Sequence, residues 1–394
     1  MQTFVIIGAG ECGVRAALTL REAGFAGWIR LFGDERHPPY ERPPLSKSFP
    51  PKIKPIVPPK ELADAGIELM LGARAVALDT AEGTVRFDDA DPVRYDRLLL
   101  ATGARARIPA GFEGALALRT LDDARRIADA IVPGARLGIV GGGVLGMELA
   151  ATARSGGADV TVYEAGAVLM GRAVPEPIAA ILETRHIEAG VKIVKNADVT
   201  GASVNQVRTG DGAVNTHDLV VCAIGAVPAT DLAETAGLEV DNGIAVDAHF
   251  RTSVRNVFAA GDCCTFPWRG AMVRLESWRA AQDQGAHAAR AMLGDLHPYD
   301  RVPWFWSDQY ELGLQVAGLC RADRPYMRRP AAANGVLLFQ HDEHGALVSV
   351  SGVGEGDSVA RDVKLGERLM EHDIRIDPAQ LADPAVDLKT LLRR

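Results

Sequence analysis

Residues 4–7, Phe4-Val5-Ile6-Ile7, form an unbroken apolar run, the pattern of a strand buried on both faces. Gly8-Ala9-Gly10-Glu11-Cys12-Gly13 follows, and beyond it Val14, Ala17, Leu18 and Leu20 recur at helical spacing. Past Gly24, residues 28–32 predict a second strand that ends at Asp34-Glu35. The same order returns later. Residues 136–140 predict a strand, Gly141-Gly142-Gly143-Val144-Leu145-Gly146 a loop, 147–154 a helix, and 160–163 a strand that ends at Glu164. Residues 256–260 predict one more strand and 277–292 a helix opened by Trp278. Trp304 and Trp306 alternate, so on a strand they share a face. Asn242-Gly243 marks a hairpin turn.

Each strand–loop–helix unit carries G-x-G-x-x-G with an acid at the end of the next strand, the pattern of a dinucleotide-binding fold. Gly8 and Gly141 allow the tight turn, Gly10 and Gly143 let a pyrophosphate approach the backbone, and Gly13 and Gly146 let helix and strand pack closely. The free N–H groups at the helix start, Val144 among them, favour an anion. Asp34, Glu35 and Glu164 are candidates for the ribose hydroxyls. One such motif is often only a glycine-rich turn; two complete units in one chain predict two bound dinucleotides. Glu164 repels a 2′-phosphate, which predicts NADH over NADPH, with Arg172 the nearby basic residue that tempers this preference.

Composition narrows the classes. The chain has 394 residues, with 43 Lys plus Arg against 51 Asp plus Glu, a net charge of −8. An acidic chain of that length is a multidomain globular protein and no general nucleic-acid binder. Its five cysteines make no C-x-x-C pair, and no zinc or haem motif is present, so no metal is implied. Adjacent Cys263 and Cys264 read as buried thiols. No apolar run is long enough to span a bilayer, and the chain opens directly on a strand, so a cytoplasmic protein without membrane attachment is expected.

Several segments, in order, resemble the NADH-dependent ferredoxin reductases of bacterial oxygenase systems. They are His37-Pro38-Pro39-Tyr40-Glu41-Arg42-Pro43-Pro44-Leu45-Ser46-Lys47, Ala101-Thr102-Gly103-Ala104-Arg105, Leu118-Arg119-Thr120, Ala259-Ala260-Gly261-Asp262 and Pro303-Trp304-Phe305-Trp306-Ser307-Asp308-Gln309. The resemblance implies FAD on the first unit and NADH on the second. It implies that Lys47 lies by the reactive edge of the flavin and pairs with Glu148, a cation for the reduced ring and a carboxylate that offsets its burial. A surface lysine and a solvated glutamate are the plain alternative. Asp262 is implied to hold the ribityl hydroxyls, Arg42 and Arg119 to meet the pyrophosphate or ring, Val76 to meet the adenine, and Gly225 with Pro228 to form a nicotinamide-side turn. Trp278, Trp304 and Trp306 suit core packing, a flavin cover or a docking face.

The expected fold is α/β, two Rossmann-like dinucleotide-binding domains of the glutathione-reductase kind plus an α+β C-terminal domain. FAD binding falls at roughly 1–110 and 238–300, NAD binding at 111–237, and the C-terminal domain at 301–394. The implied function is an NADH:ferredoxin reductase with a transient two-iron two-sulfur ferredoxin partner that serves a haem monooxygenase or a ring-hydroxylating dioxygenase. Arg301, Arg321, Arg324, Arg328 and Arg329 are candidates for the positive face such a partner needs. An NADH-sensing flavoprotein with a signalling role, or a rubredoxin, oxygen or quinone reductase, are the alternative readings. Oligomeric state is open.

Overall fold

The computed structural model describes residues 1–393, and the chain divides into two compact units. Residue 394, where the expected C-terminal domain ends, lies outside the described residues. One unit comprises residues 1–42, 53–105 and 226–301. Its centre is a parallel sheet in the order Val257–Ala259, Arg97–Leu100, Thr3–Ile7, Trp28–Gly33 and Ile67–Leu71. Thr3–Ile7 sits in the middle, which is why Phe4, Val5 and Ile6 are apolar without alternation. Helices Glu11–Glu22 and Trp278–Met292 pack on each other, and Gly285 permits the approach: a Cβ there would lie 2.3 Å from the Cys12 carbonyl oxygen. Ser277 caps the second of these helices through the Ala280 N–H. The expected strand at 256–260 is shorter, Val257–Ala259, because Asn256 turns at φ +66°. The expected hairpin at Gly243 is a tight turn closed by a single Val240–Ile244 bridge.

The other unit comprises residues 43–52, 106–225 and, among the described residues, 302–393. It holds a second parallel sheet, Lys192–Val194, Asp159–Tyr163, Arg136–Val140, Leu219–Cys222 and Leu116–Ala117. It also holds an antiparallel sheet, Trp304–Gln309, Leu312–Gly318, Leu347–Glu355, Val336–His341 and Tyr326–Pro330. Helix Ala360–Glu371 covers that sheet, joining Phe339, Val350, Val363 and Leu369 in one core. The helix after the second glycine loop runs Val144–Ser155, starting earlier than the 147 expected, because Gly143 already serves as its N-cap.

The two glycine loops have matching strain and space. Gly8 (φ +112°) and Gly141 (φ +109°) occupy backbone that L side chains rarely adopt, and a Cβ on Gly8 would lie 2.1 Å from the Ala101 carbonyl oxygen. A Cβ on Gly13 would come within 1.9 Å of the Gly8 oxygen, and one on Gly146 within 2.1 Å of the Gly141 oxygen. Gly10 and Gly143 instead face open space. We therefore expect Gly13→Ala to cost about 1–3 kcal/mol in denaturant unfolding and Gly10→Ala less. Equal costs would mean that the close helix–strand contact is not what selects glycine at 13.

Candidate functional site

In the first unit, Gly10 caps the helix Glu11–Glu22 with no side-chain hydrogen bond, so the terminal N–H groups are left for an anion. Glu35, just past the strand Trp28–Gly33, accepts from Arg42 Nη2 at 2.7 Å and from Tyr40 Oη at 2.6 Å. The structure thus brings Glu35 and Arg42 together, while Asp34 is exposed. Gly261 N–H donates to Gln284 Oε1 at 2.8 Å, placing Asp262 at the end of the Val257–Ala259 strand. Glu11 Oε1 accepts from Gln282 Nε2 at 2.6 Å. Burial pushes the Glu11 carboxyl above its ordinary range, against the hydrogen bonds from Gln282 and Trp278, with Glu41 adding repulsion. Val76 is half exposed on the strand Ala75–Asp79. Cys263 and Cys264 are free and buried, and burial raises both thiols.

In the second unit, Gly143 likewise caps Val144–Ser155 without a side-chain bond. Glu164 is pinned by its own loops: Oε2 accepts from Gly142 N–H and Oε1 from Gly166 N–H, both at 2.7 Å. Arg172 and Gly225 are neighbours, since a Cβ on Gly225 would lie 3.4 Å from Arg172 Nη2. Arg119 precedes the helix Leu121–Ala130, its backbone N–H donating to Asp123 Oδ2 at 3.2 Å beside the Thr120 cap.

The same unit assembles Lys47 and Glu148. The Pro43–Ser46 turn presents Ser46 and Lys47, and Thr152 Oγ1 holds the turn to the helix through the Ser46 carbonyl at 2.7 Å. Glu148 is 7% exposed; Lys47 Nζ lies 3.5 Å from its Oε1 and 2.6 Å from Asp308 Oδ2. Ser46 Oγ donates to Glu148 Oε2, and Ser307 Oγ to Oε1 at 2.7 Å. Burial raises the Glu148 pKa, and Lys47 and the two serines pull it back. The strand Trp304–Gln309 sorts the partners by face. Ser307 and Gln309 are buried, while Trp304 and Trp306 stack with centroids 5.3 Å apart beside Lys47, whose Nζ is 5.4 Å from the Trp306 ring.

Sequence reasoning found Lys47 and Glu148 but passed over Ser46, Ser307 and Asp308, although the strand alternation and the position before Lys47 carried a signal for each. It also included Arg329 in the positive face, and this is a correction. On the strand Tyr326–Pro330 Arg328 points out and Arg329 is buried, donating to the carbonyls of Asp383 and Val386, each at 2.7 Å. Arg321 is exposed and paired with Asp323. Among the described residues no group of His, Cys, Asp and Glu could hold a metal ion, and no helix is long and apolar enough to cross a membrane.

Two glycine loops, each between a parallel-sheet strand and a helix with no side-chain cap, are the pattern of a protein with two dinucleotide sites. The pyridine nucleotide-disulphide oxidoreductase family matches residues 2–285, and a reductase C-terminal family matches 304–392. The chain belongs to the pyridine nucleotide-disulphide oxidoreductase family, and with it come oxidoreductase chemistry and the use of FAD and NAD(H). It is 37% identical over 408 residues to rhodocoxin reductase of Rhodococcus erythropolis, spanning 100% of this chain and 95% of that one. It is 39% identical over 409 residues to the anthranilate 1,2-dioxygenase system ferredoxin–NAD(+) reductase component of Burkholderia cepacia, spanning 99% of each. The fold matches the crystal structure of the covalent putidaredoxin reductase–putidaredoxin complex with a TM-score of 0.91 and 32% identity, covering 100% of this chain and 98% of that one.

Glu11 gives a pH test. Its folded-state pKa is raised, so ionising it costs stability: the cost is absent below the ordinary carboxylate value of about 4.3 and develops as pH rises through the folded value. Glu11→Gln should therefore melt with the wild type in acid and above it at neutral pH. A gap that is constant with pH would contradict this.

Proposed function

We propose that this chain is a cytoplasmic, FAD-dependent NADH:ferredoxin reductase that passes electrons to a two-iron two-sulfur ferredoxin serving a haem monooxygenase or a ring-hydroxylating dioxygenase. The observation that carries the reading is full-length similarity to ferredoxin–NAD(+) reductase components, joined to two glycine loops whose helix starts are uncapped and whose central glycines face open space. Bound FAD supplies hydride acceptance from NADH and release of electrons one at a time.

The residues divide the work. Gly8, Gly10 and Gly13 cradle the FAD pyrophosphate; Glu35, in preference to exposed Asp34, takes the ribose hydroxyls, with Arg42 holding it. Asp262, Val76, Arg119, Trp278 and Trp304 are assigned to the rest of the flavin nucleotide. Gly141, Gly143, Val144 and Gly146 receive the NADH pyrophosphate, Glu164 its ribose, and Arg172 and Gly225 the nicotinamide side. Lys47 supplies positive charge to the reduced flavin, and Glu148 keeps that lysine in place. We assign FAD binding to roughly 1–110 and 238–300, NAD binding to 111–237 and the C-terminal domain to 301–394. The ferredoxin face is assigned to Trp306 beside Lys47; Arg328 lies on the opposite face of that sheet, at its far edge strand Tyr326–Pro330.

Anaerobic rapid mixing tests the reading. NADH should bleach the flavin absorbance much faster than NADPH, and oxidised two-iron two-sulfur ferredoxin should restore it. Flavin that NADH reduces but ferredoxin does not reoxidise would overturn the reductase assignment. Glu164→Ala should raise the KM for NADH and narrow the NADH-over-NADPH preference about tenfold, the worth of a strong hydrogen bond to a charged group. An unchanged preference would remove Glu164 from nucleotide choice.

A further inference from the structure

Glu148 ends a line of hydrogen bonds that no part of the reading above uses. Ser307 Oγ lies 2.7 Å from Glu148 Oε1, and Gln309 Nε2 lies 3.1 Å from Ser307 Oγ. His186 Nε2 is 3.0 Å from Gln309 Oε1, and Tyr310 Oη is 3.4 Å from His186 Nδ1. His186, Ser307 and Gln309 are fully buried. An ionised carboxylate only accepts, so Ser307 must donate to it. Ser307 Oγ then accepts from the Gln309 amide nitrogen, which turns Gln309 Oε1 toward His186. The imidazole must carry its proton on Nε2, and Nδ1 accepts from Tyr310. Every donor in the line points toward Glu148, so the direction of the line and the charge of Glu148 are one property.

The outer end is held under strain. Tyr310 is a non-glycine residue at φ +57° in the two-residue turn that joins Trp304–Gln309 to Leu312–Gly318. Its ring stands edge-on to His186 at 5.0 Å, and the Arg185 guanidinium lies 4.3 Å from the ring centroid. Arg185 in turn is bound to Glu311 at 2.6 and 3.0 Å. The charged groups on the line are therefore Arg185, with Glu311, at the His186 end, and Lys47, with Asp308, at the Glu148 end. Burial lowers the His186 pKa, opposed by the Gln309 hydrogen bond and aided by Arg185, which favours the neutral ring that the direction of the line requires.

We propose that His186, Gln309 and Ser307, closed by Tyr310, are positioning residues that hold Glu148 ionised and so set the charge of the Lys47–Glu148 pair. The effect on the flavin rests on the functional reading above; the effect on Glu148 does not. Without the His186 donor, only the weak Gln309 Nε2–Met170 Sδ contact at 3.6 Å still orients the amide, and its oxygen can turn to Ser307, which then donates to Gln309 and no longer to Glu148.

The test is infrared spectroscopy of the FAD-loaded protein across pH, each spectrum differenced against the same protein with Glu148→Gln to isolate the Glu148 carboxyl band. Ser307→Ala and His186→Leu should each raise the proton affinity of Glu148 about tenfold, the loss of one hydrogen bond to a charged group. His186→Gln, whose amide nitrogen donates where Nε2 does, should titrate as wild type, which separates donation from folding. Unchanged titration in both Ser307→Ala and His186→Leu overturns the proposal. A shift in Ser307→Ala alone overturns the part that runs through His186. NADH bleaching of the flavin, recorded on the same samples, is a separate readout: its absence in wild type overturns the functional reading whatever Glu148 does.

Discussion

A carboxylate buried to 7% exposure beside one lysine is the interaction on which the second unit is arranged. Burying an ion costs several kcal/mol after relaxation, and attraction to a partner repays it only where the remaining lone pairs are also satisfied. Glu148 is supplied from two stretches of chain: Ser46 and Lys47 from the turn, and Ser307 from the antiparallel sheet. Removing Lys47 would leave the charge on two serine hydroxyls, which is more than a surface pair could ever forfeit. The turn Pro43–Ser46 and the strand Trp304–Gln309 are therefore held to the helix Val144–Ser155 by one buried charge as well as by packing.

That strand shows how one alternating segment does two jobs. Its buried face carries Ser307 and Gln309 to Glu148 and His186, and its other face stacks Trp304 on Trp306 and lays Asp308 against Lys47. Lys47 belongs to both faces, through Glu148 and Asp308, so the charge buried with Glu148 and the aromatic surface are mechanically joined. The glycine loops are simpler: a turn, an open position and a contact in each, with a carboxylate held nearby by hydrogen bonds.

The glycine loops were legible from the residues because each requirement is local: positive φ at Gly8 and Gly141, no room for a Cβ at Gly13 and Gly146, and open space at Gly10 and Gly143. Strand 136–140 was legible to the residue, since Leu137, Ile139 and Val140 lead straight into the glycine loop at Gly141. Lys47 and Glu148 came from resemblance and not from spacing, because residues so far apart in sequence meet only through tertiary packing. His186 carried no signal at all: a lone histidine on a mostly apolar helix face reads as core, and only the fold puts Gln309 and Tyr310 on its two nitrogens. Arg329 failed for the opposite reason. A run of arginines looks like a surface until strand alternation turns one of them inward onto backbone carbonyls.

The central claim is that Lys47, held by Glu148, lends positive charge to the reduced flavin. The most direct measurement is the two-electron midpoint potential of the bound FAD in wild type and in Lys47→Met, by anaerobic spectroelectrochemical titration. Lys47→Met should bind FAD and lower the potential by about 30 mV or more, a tenfold loss in the stability of the reduced form relative to the oxidised form. A potential that is unchanged or raised would contradict it.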